Sequence, residues 1–155
     1  TRQLRIALAQ ALAPWGLHVR GDEEWTRYLA PERCGPYVNY YVDMPNFYGD
    51  CALNVNTTSL QMATTVNQRV FDCPAAGGFL LTDAQPGLAA LLEPEVEIAT
   101  YGTIDECLDK YRFYQNRPQA RKEIVTRGRE RVLDCHTYAH RLTTLWVMLC
   151  QHYGV

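Results

Sequence analysis

Residues 67–83 constrain this chain more than any other stretch. Asn67, Gln68 and Arg69 open a helical pattern, Ala75, Ala76, Gly77 and Gly78 supply a run of small residues, and Phe79, Leu80 and Leu81 form an apolar run ending at Thr82 and Asp83. A helix, a tight turn and a buried strand follow in that order, which is a unit of an α/β fold. On the first helical turn, free backbone N–H groups and the positive end of the helix dipole favour an anion, and a phosphate fits there. Asp72 lies four positions after Gln68 and three after Arg69, so these side chains share a helix face that one ligand can meet. An ordinary helix–strand junction with solvated polar residues has the same spacing.

Composition narrows the setting. With 155 residues, 47% of them hydrophobic, the chain can bury one sizeable core, and residues 1–155 read as a single domain. A formal net charge of -2 with no basic block argues against nucleic acid as a partner. No apolar run approaches the ~20 residues of a membrane span, and the charged first helix lacks the apolar centre of a secretory signal. A soluble, cytoplasmic protein is expected. Cys34, Cys51, Cys73, Cys107, Cys135 and Cys150 are scattered without a close pair, which suits reduced, packed thiols better than a zinc site or a disulfide framework.

In chain order, a helix with Leu4, Leu8, Ala11, Leu12 and Trp15 on one face begins at Thr1 and stops near Gly16. A short strand over 17–20 leads to Gly21 and Asp22, a turn where a ligand can approach the backbone. The Tyr-rich segment 34–41 reads as packing bulk, because a base-stacking platform would need basic neighbours. A helix over 44–48 carries Pro45 in its first turn. A strand over 51–56 then runs into the polar loop Asn56, Thr57, Thr58, Ser59. That loop stands where doubly wound sheets place ligands, beyond the carboxyl end of a strand. Strands over 79–82 and 96–101 flank a short helix over 86–92. Thr103 and Glu106 form a capping box for a helix with Ile104, Cys107, Leu108 and Tyr111 on its apolar face. Pro118 opens another helix, with Ala120, Ile124, Gly128 and Val132 on one side, and a last helix over 138–152 presents Leu142, Leu145, Trp146 and Leu149 to a core. The pattern is an α/β parallel sheet flanked by helices, with a helical C-terminus. Such a domain ordinarily begins with a strand, and the expectation is a fragment of a larger protein whose first strand is missing.

His136 and His140 are spaced to meet a metal on one helix face. Thr137 stands where zincin chemistry needs Glu, so no metal site is expected, and His136 reads as a hydrogen-bonding residue at the junction of the last two helices. No nucleophile elbow, Walker loop or dinucleotide glycine fingerprint occurs.

From residue 67 to 83, and again from 128 to 141, the sequence resembles the C-terminal donor-binding half of GT-B glycosyltransferases. It is most similar to the group 1-like branch that includes the spore maturation protein CgeB. The motifs carrying the resemblance are Asn54 or Asn56 at a strand end, Arg69 with Asp72, Ala76 with Gly77 and Gly78, Thr82 with Asp83, the Thr103 helix, and His136 with Thr137 and Tyr138. The resemblance implies a Rossmann-like sheet and a nucleotide-sugar donor held by Asn56, Thr57, Asn67, Gln68, Arg69, Asp72, Gly21 and His136. Asp72 takes the place of the acidic residue, more often Glu, that binds ribose hydroxyls, and Arg69 is the cation for charge developing on the leaving diphosphate. Thr64 stands where retaining families often carry another Glu. The resemblance also implies no metal or other cofactor, and a missing N-terminal half that brings the acceptor and the catalytic base, so that the chain alone binds donor without turnover. Either another segment or another chain fills the place of the missing first strand, or the strand alignment is shifted by one, and a homo-oligomer is a further candidate partner. Two readings of other classes stay open. One is a non-catalytic α/β interaction module, and the other is a flavodoxin-like domain.

Overall fold

The computed structural model describes residues 2–62 and 64–154. The elements are α1 (Arg2–Leu12), β1 (Val19–Arg20), β2 (Cys34–Gly35), α2 (Met44–Asp50), β3 (Asn54–Asn56), α3 (Arg69–Ala75), β4 (Leu80–Asp83), β5 (Ala99–Tyr101), α4 (Ile104–Gln115), α5 (Pro118–Cys135) and α6 (Tyr138–Tyr153). Leu80, Leu81 and Thr82 are all buried, as the apolar run requires, because a parallel strand is covered on both faces. β4 is accordingly central, with β3 on one edge and β5 on the other, both parallel to it. β1 and β2 form a separate parallel pair.

Alternation along β4 divides the interior into two layers. Leu81 packs with Leu8 and Leu12 of α1 and with Cys107, Tyr111 and Tyr114 of α4. Leu80 packs on the opposite face with Tyr48 of α2, Val70 and Cys73 of α3, and Val132 of α5. The two buried thiols behave as small hydrophobes: burial pushes Cys107 up to about 12 and Cys73 well above the usual thiol range. All six thiols are free.

Several boundaries differ from expectation. The strands are shorter than 17–20, 51–56 and 96–101. Cys51 N–H still bonds Phe47 O and so ends α2 instead of opening β3. Before β5, Pro94 and Ile98 meet only as an isolated bridge. No regular helix forms over 86–92. Leu88 and Leu92 are buried at the helical spacing that suggested one, but the segment is a chain of turns bonded Leu88 N–H to Gln85 O and Leu92 N–H to Leu88 O. Gly87 lies against the Thr64 carbonyl, and Pro94 cuts the segment off. The first helix leaves Leu4 and Trp15 largely exposed, and its expected start, Thr1, lies outside the described residues. Its break is as expected, with Gly16 at φ 96. Of the Tyr-rich segment, Tyr37 and Tyr41 are exposed instead of packed.

The largest correction concerns α6. None of its residues is buried, and Leu142, Leu145, Trp146 and Leu149 face outward, because no other element among the described residues lies over that side. No described helix is long and apolar enough to cross a membrane.

Two local devices hold the frame. α5 crosses so close to the turn before β5 that a Cβ on Gly128 would collide with the Glu97 carbonyl oxygen. Glu95, at φ 64, adopts a left-handed backbone that a side chain disfavours, and its carboxylate offsets that cost. Glu95 Oε1 accepts from Thr100 N–H, Thr100 Oγ1 and Lys110 Nζ at 3.0, 2.9 and 2.9 Å, tying the loop to β5 and α4. Partial burial pushes the Glu95 carboxyl up, but these bonds outweigh it and hold the carboxyl below its ordinary value. At the start of α4, Thr103 accepts from Glu106 N–H while Glu106 reaches back to Gly102 N–H, a capping box shifted by one residue.

Gly128→Ala should therefore cost about 1–3 kcal/mol in urea unfolding, since its methyl meets backbone that cannot rotate away. Because the Glu95 carboxyl is depressed, the stability it adds is complete above the unfolded-state value near 4.5 and is lost as pH falls through the lower folded-state value. Urea midpoints followed from about pH 6 to about pH 3 should fall less steeply in Glu95→Gln than in the parent.

Candidate functional site

Parallel strands aim their carboxyl ends at one edge, and here that edge collects the polar groups. β3 ends at Asn56, which is 1% exposed, and β4 ends at Thr82 and Asp83 in register beside it. The Asn56 amide donates to Thr82 Oγ1 at 2.9 Å and to Asn67 Oδ1 at 3.2 Å. Its oxygen accepts from Asn67 Nδ2 at 3.0 Å and from Arg69 Nη1 at 3.2 Å. Both donors and both acceptor positions of the amide are thus used inside the chain. The Asn56 carbonyl also accepts from Tyr101 OH at 2.7 Å, and Tyr101 OH lies 2.9 Å from Thr57 Oγ1. Burial raises the Tyr101 pKa and keeps that phenol protonated. Asp83 clasps the loop, accepting from Thr58 N–H at 2.8 Å and from Thr58 Oγ1 at 2.9 Å through Oδ1, and from Gln85 at 2.6 Å through Oδ2.

Across this edge stands α3. It begins at Arg69, later than expected, and spans seven residues with Pro74 among them. Asn67 is therefore outside the helix, where its side chain can turn to Asn56. Gln68 and Arg69 are exposed, and Arg69 spends a single hydrogen bond on Asn56. Asp72 faces Tyr40, whose hydroxyl donates to Oδ2 in a short hydrogen bond. That bond, with burial adding to it, raises the Tyr40 pKa, so the phenol holds its proton and can stay a donor. Oδ1 of Asp72 lies outside the contact.

Other expected residues are placed around this group. His136 sits at the junction of α5 and α6, with Nε2 2.8 Å from the Leu91 carbonyl and its ring 5.5 Å from Phe71 of α3. A carbonyl accepts only, so Nε2 carries the proton in that bond. Tyr138 OH receives Gln68 Nε2 at 3.5 Å, and the Arg141 guanidinium lies 4.6 Å from the centre of the Phe71 ring. The His136, Thr137, Tyr138 motif is in this way seated beside α3, seventy residues away in sequence. Gly21 follows β1, donates its N–H to Gly35 O, and is covered by the Trp25 indole. Among the described residues no hydrogen bond links it to the Asn56 group. Nor does any group of three His, Cys, Asp or Glu among them converge on a metal-sized point.

Residues 2–146 match the family model described as glycosyl transferase-like. The chain belongs to the glycosyl transferase-like family. No curated protein sequence matches this glycosyl transferase-like chain. Among solved structures, sucrose-phosphate synthase from Thermosynechococcus elongatus is similar, with a TM-score of 0.77 at 14% identity. The alignment covers 99% of this chain and 43% of that one, so the chain spans less than half the length of that protein. At this identity the likeness shows fold: the parallel sheets and flanking helices are those of a Rossmann-like C-terminal domain of GT-B type.

Sequence reasoning on this glycosyl transferase-like chain missed Tyr40, Thr58 and Tyr101 as members of the group. Thr58 lay in the polar loop that was singled out, and the register of Asp83 beside it gives its role. Tyr40 and Tyr101 carry no local signal, since each reaches its partner over 32 or 45 residues of chain.

Asn56→Leu should keep the volume and strand the polar partners. A loss of about 1–3 kcal/mol in urea unfolding is expected, because Thr82 and Asn67 are left without their bonds. A loss within a few tenths of a kcal/mol would show that water replaces the amide.

Proposed function

We propose that the carboxyl edge of β3 and β4, together with α3, binds the nucleotide-sugar donor of a glycosyltransferase. The single observation that carries this reading is the placement of Arg69 and Asp72. They are a cation and a carboxylate one helical turn apart, on a helix that a buried amide pins to the edge where such sheets receive ligands. Arg69 would meet the diphosphate, where its fork of N–H donors suits phosphate oxygens and its charge favours the leaving group. Asp72 would accept the ribose hydroxyls through Oδ1, with Tyr40 holding Oδ2 in place. Asn67, Gln68 and Thr57 would complete the wall, and Asn56 would serve by fixing Arg69. Gly21 would present backbone from the β1 side, and His136 would hold the α5–α6 junction against α3. No metal enters this scheme.

The motif order Arg69, Asp72, Gly77, Gly78, Thr82, Asp83 and His136 favours a CgeB-like, group 1-type transferase acting in the cytoplasm. Acceptor and catalytic base would come from an N-terminal half, so residues 1–155 would bind donor without turning it over. The outward face of α6, with Leu142, Leu145 and Trp146, is the kind of surface such a half would cover. That same face, with the exposed Thr64 in place of a sugar-binding Glu, favours a second reading, a non-catalytic interaction module of the same fold.

Calorimetric titration of the protein with nucleoside diphosphates and nucleotide sugars separates the two. Under the donor reading, Arg69→Ala and Asp72→Ala should each weaken binding about tenfold, or about 1.4 kcal/mol, with unfolding midpoints little changed. A folded protein that binds none of the panel would leave the interaction module.

A further inference from the structure

Asp72 does not meet a ligand as a free carboxylate, because Tyr40 already binds it. Tyr40 belongs to the segment between β2 and α2, and the backbone of that segment is held without the phenol. Asn39 Oδ1 accepts from Tyr41 N–H at 3.0 Å and from Val42 N–H at 3.1 Å. The Asn39 carbonyl accepts from Asp43 N–H and Met44 N–H, each at 3.0 Å. An Asn that bonds backbone two and three residues on fixes a turn by itself. The Tyr41 ring then packs edge-on against the Tyr40 ring, with 5.2 Å between centres. The turn presents a fixed phenol to α3, and among the described residues its hydroxyl is spent on Asp72 alone.

What the pair offers a ligand follows from counting protons. A phenol carries one, and in Tyr40 it is committed to Oδ2 of Asp72. The bond to Asp72 and, after it, burial raise the Tyr40 pKa, so the proton stays in place at neutral pH. A carboxylate only accepts. Oδ1 of Asp72 and the lone pairs of the Tyr40 oxygen are therefore two acceptors on either side of one hydrogen bond, with no proton left to give. Such a pair repels a phosphate, which also only accepts, and suits a group that carries two adjacent donors. On a nucleotide that group is the cis-diol of ribose.

We propose that Tyr40 is a specificity-determining residue: Asp72 Oδ1 accepts one ribose hydroxyl, the Tyr40 oxygen accepts the other, and the pair selects ribonucleotides over deoxyribonucleotides. The inference rests on the donor reading and divides between two residues a contact given there to Asp72. The selection comes from the missing bond. A site built to accept from a hydroxyl discriminates against the analogue that lacks it, because its own polar group is left unpaired. A ribose phosphorylated on either hydroxyl is refused for a different reason, since it sets negative charge against two acceptors.

Calorimetric titration of the protein and of Tyr40→Phe tests this, using uridine, guanosine and adenosine diphosphates and the dideoxy analogue of each, which lacks both ribose hydroxyls. The parent should bind the ribonucleotide about tenfold or more tighter than its dideoxy analogue. Tyr40→Phe, which keeps the ring and the Asn39 turn, should weaken the ribonucleotide about five- to tenfold and leave the dideoxy analogue within about twofold. Equal weakening of both would assign Tyr40 a purely structural role and overturn the proposal. Unchanged binding of both would also overturn it, as would tighter binding of the ribonucleotide, which would make Tyr40 a competitor of ribose for Oδ2. In each of those outcomes the donor reading stands, because the parent still binds. A folded parent that binds none of the panel removes the donor reading and this inference with it.

Discussion

A buried amide with every hydrogen bond made inside the chain ties the polar edge of the sheet together. Asn56 is 1% exposed, and its side chain joins the end of β3 to Thr82 on β4, to Asn67 before α3 and to Arg69 on α3. A polar group so far from water is tolerated only when its partners are complete, and losing one strands others. The loop that follows, the start of α3 and the outward reach of Arg69 all take their positions from it. Its neighbours extend the same arrangement, with Tyr101 on the Asn56 carbonyl and Asp83 on Thr58. The chain builds its candidate site by anchoring the supports and leaving the outer side chains, Gln68 and Arg69, exposed.

That anchoring depends on the sheet behind it. β4 brings Thr82 and Asp83 level with Asn56 because the strands are parallel and in register. α5 reinforces the layer on the α3 side, approaching so closely that only Gly128 fits over Glu97. The opposite flank is organised differently. β1 and β2 pair only with each other, and a cavity lies between them and β3. The molecule is therefore most completely packed around β4 and β5 and most open beside β3, while α6 turns an apolar face outward.

Local chemistry made much of the fold legible. The apolar run at 79–81, the tight turn with Gly77 at φ 80, the Thr103 cap, Pro118 at the start of α5 and the left-handed Gly16 all act within a few residues, and each appears close to where its chemistry places it. Two readings failed for a shared reason. Leu88 and Leu92 have helical spacing but are held by turns, and the apolar stripe of α6 has the period of a core helix but no core above it. Periodicity reports that a face is apolar, and it does not report what covers that face. The site divides in the same way. Arg69, Asp72, the Asn56 loop and His136 were visible as residue types at suggestive spacings. Their partners Tyr40, Tyr101 and Leu91 lie 32 to 45 residues away and carry no mark of their roles.

The sequence by itself determined the alternation of helices and buried strands, the capped boundaries and the identity of the cation and the carboxylate near one helix start, because these depend on neighbours within a turn or two. Only the tertiary structure decided that Asn56 is a fully bonded anchor, that Tyr40 already holds one oxygen of Asp72, that α6 faces outward and that two sheets stand apart around a cavity. Those outcomes depend on strand order and on contacts across tens of residues, where the pairing of one buried donor or acceptor is set by the whole arrangement of elements around it.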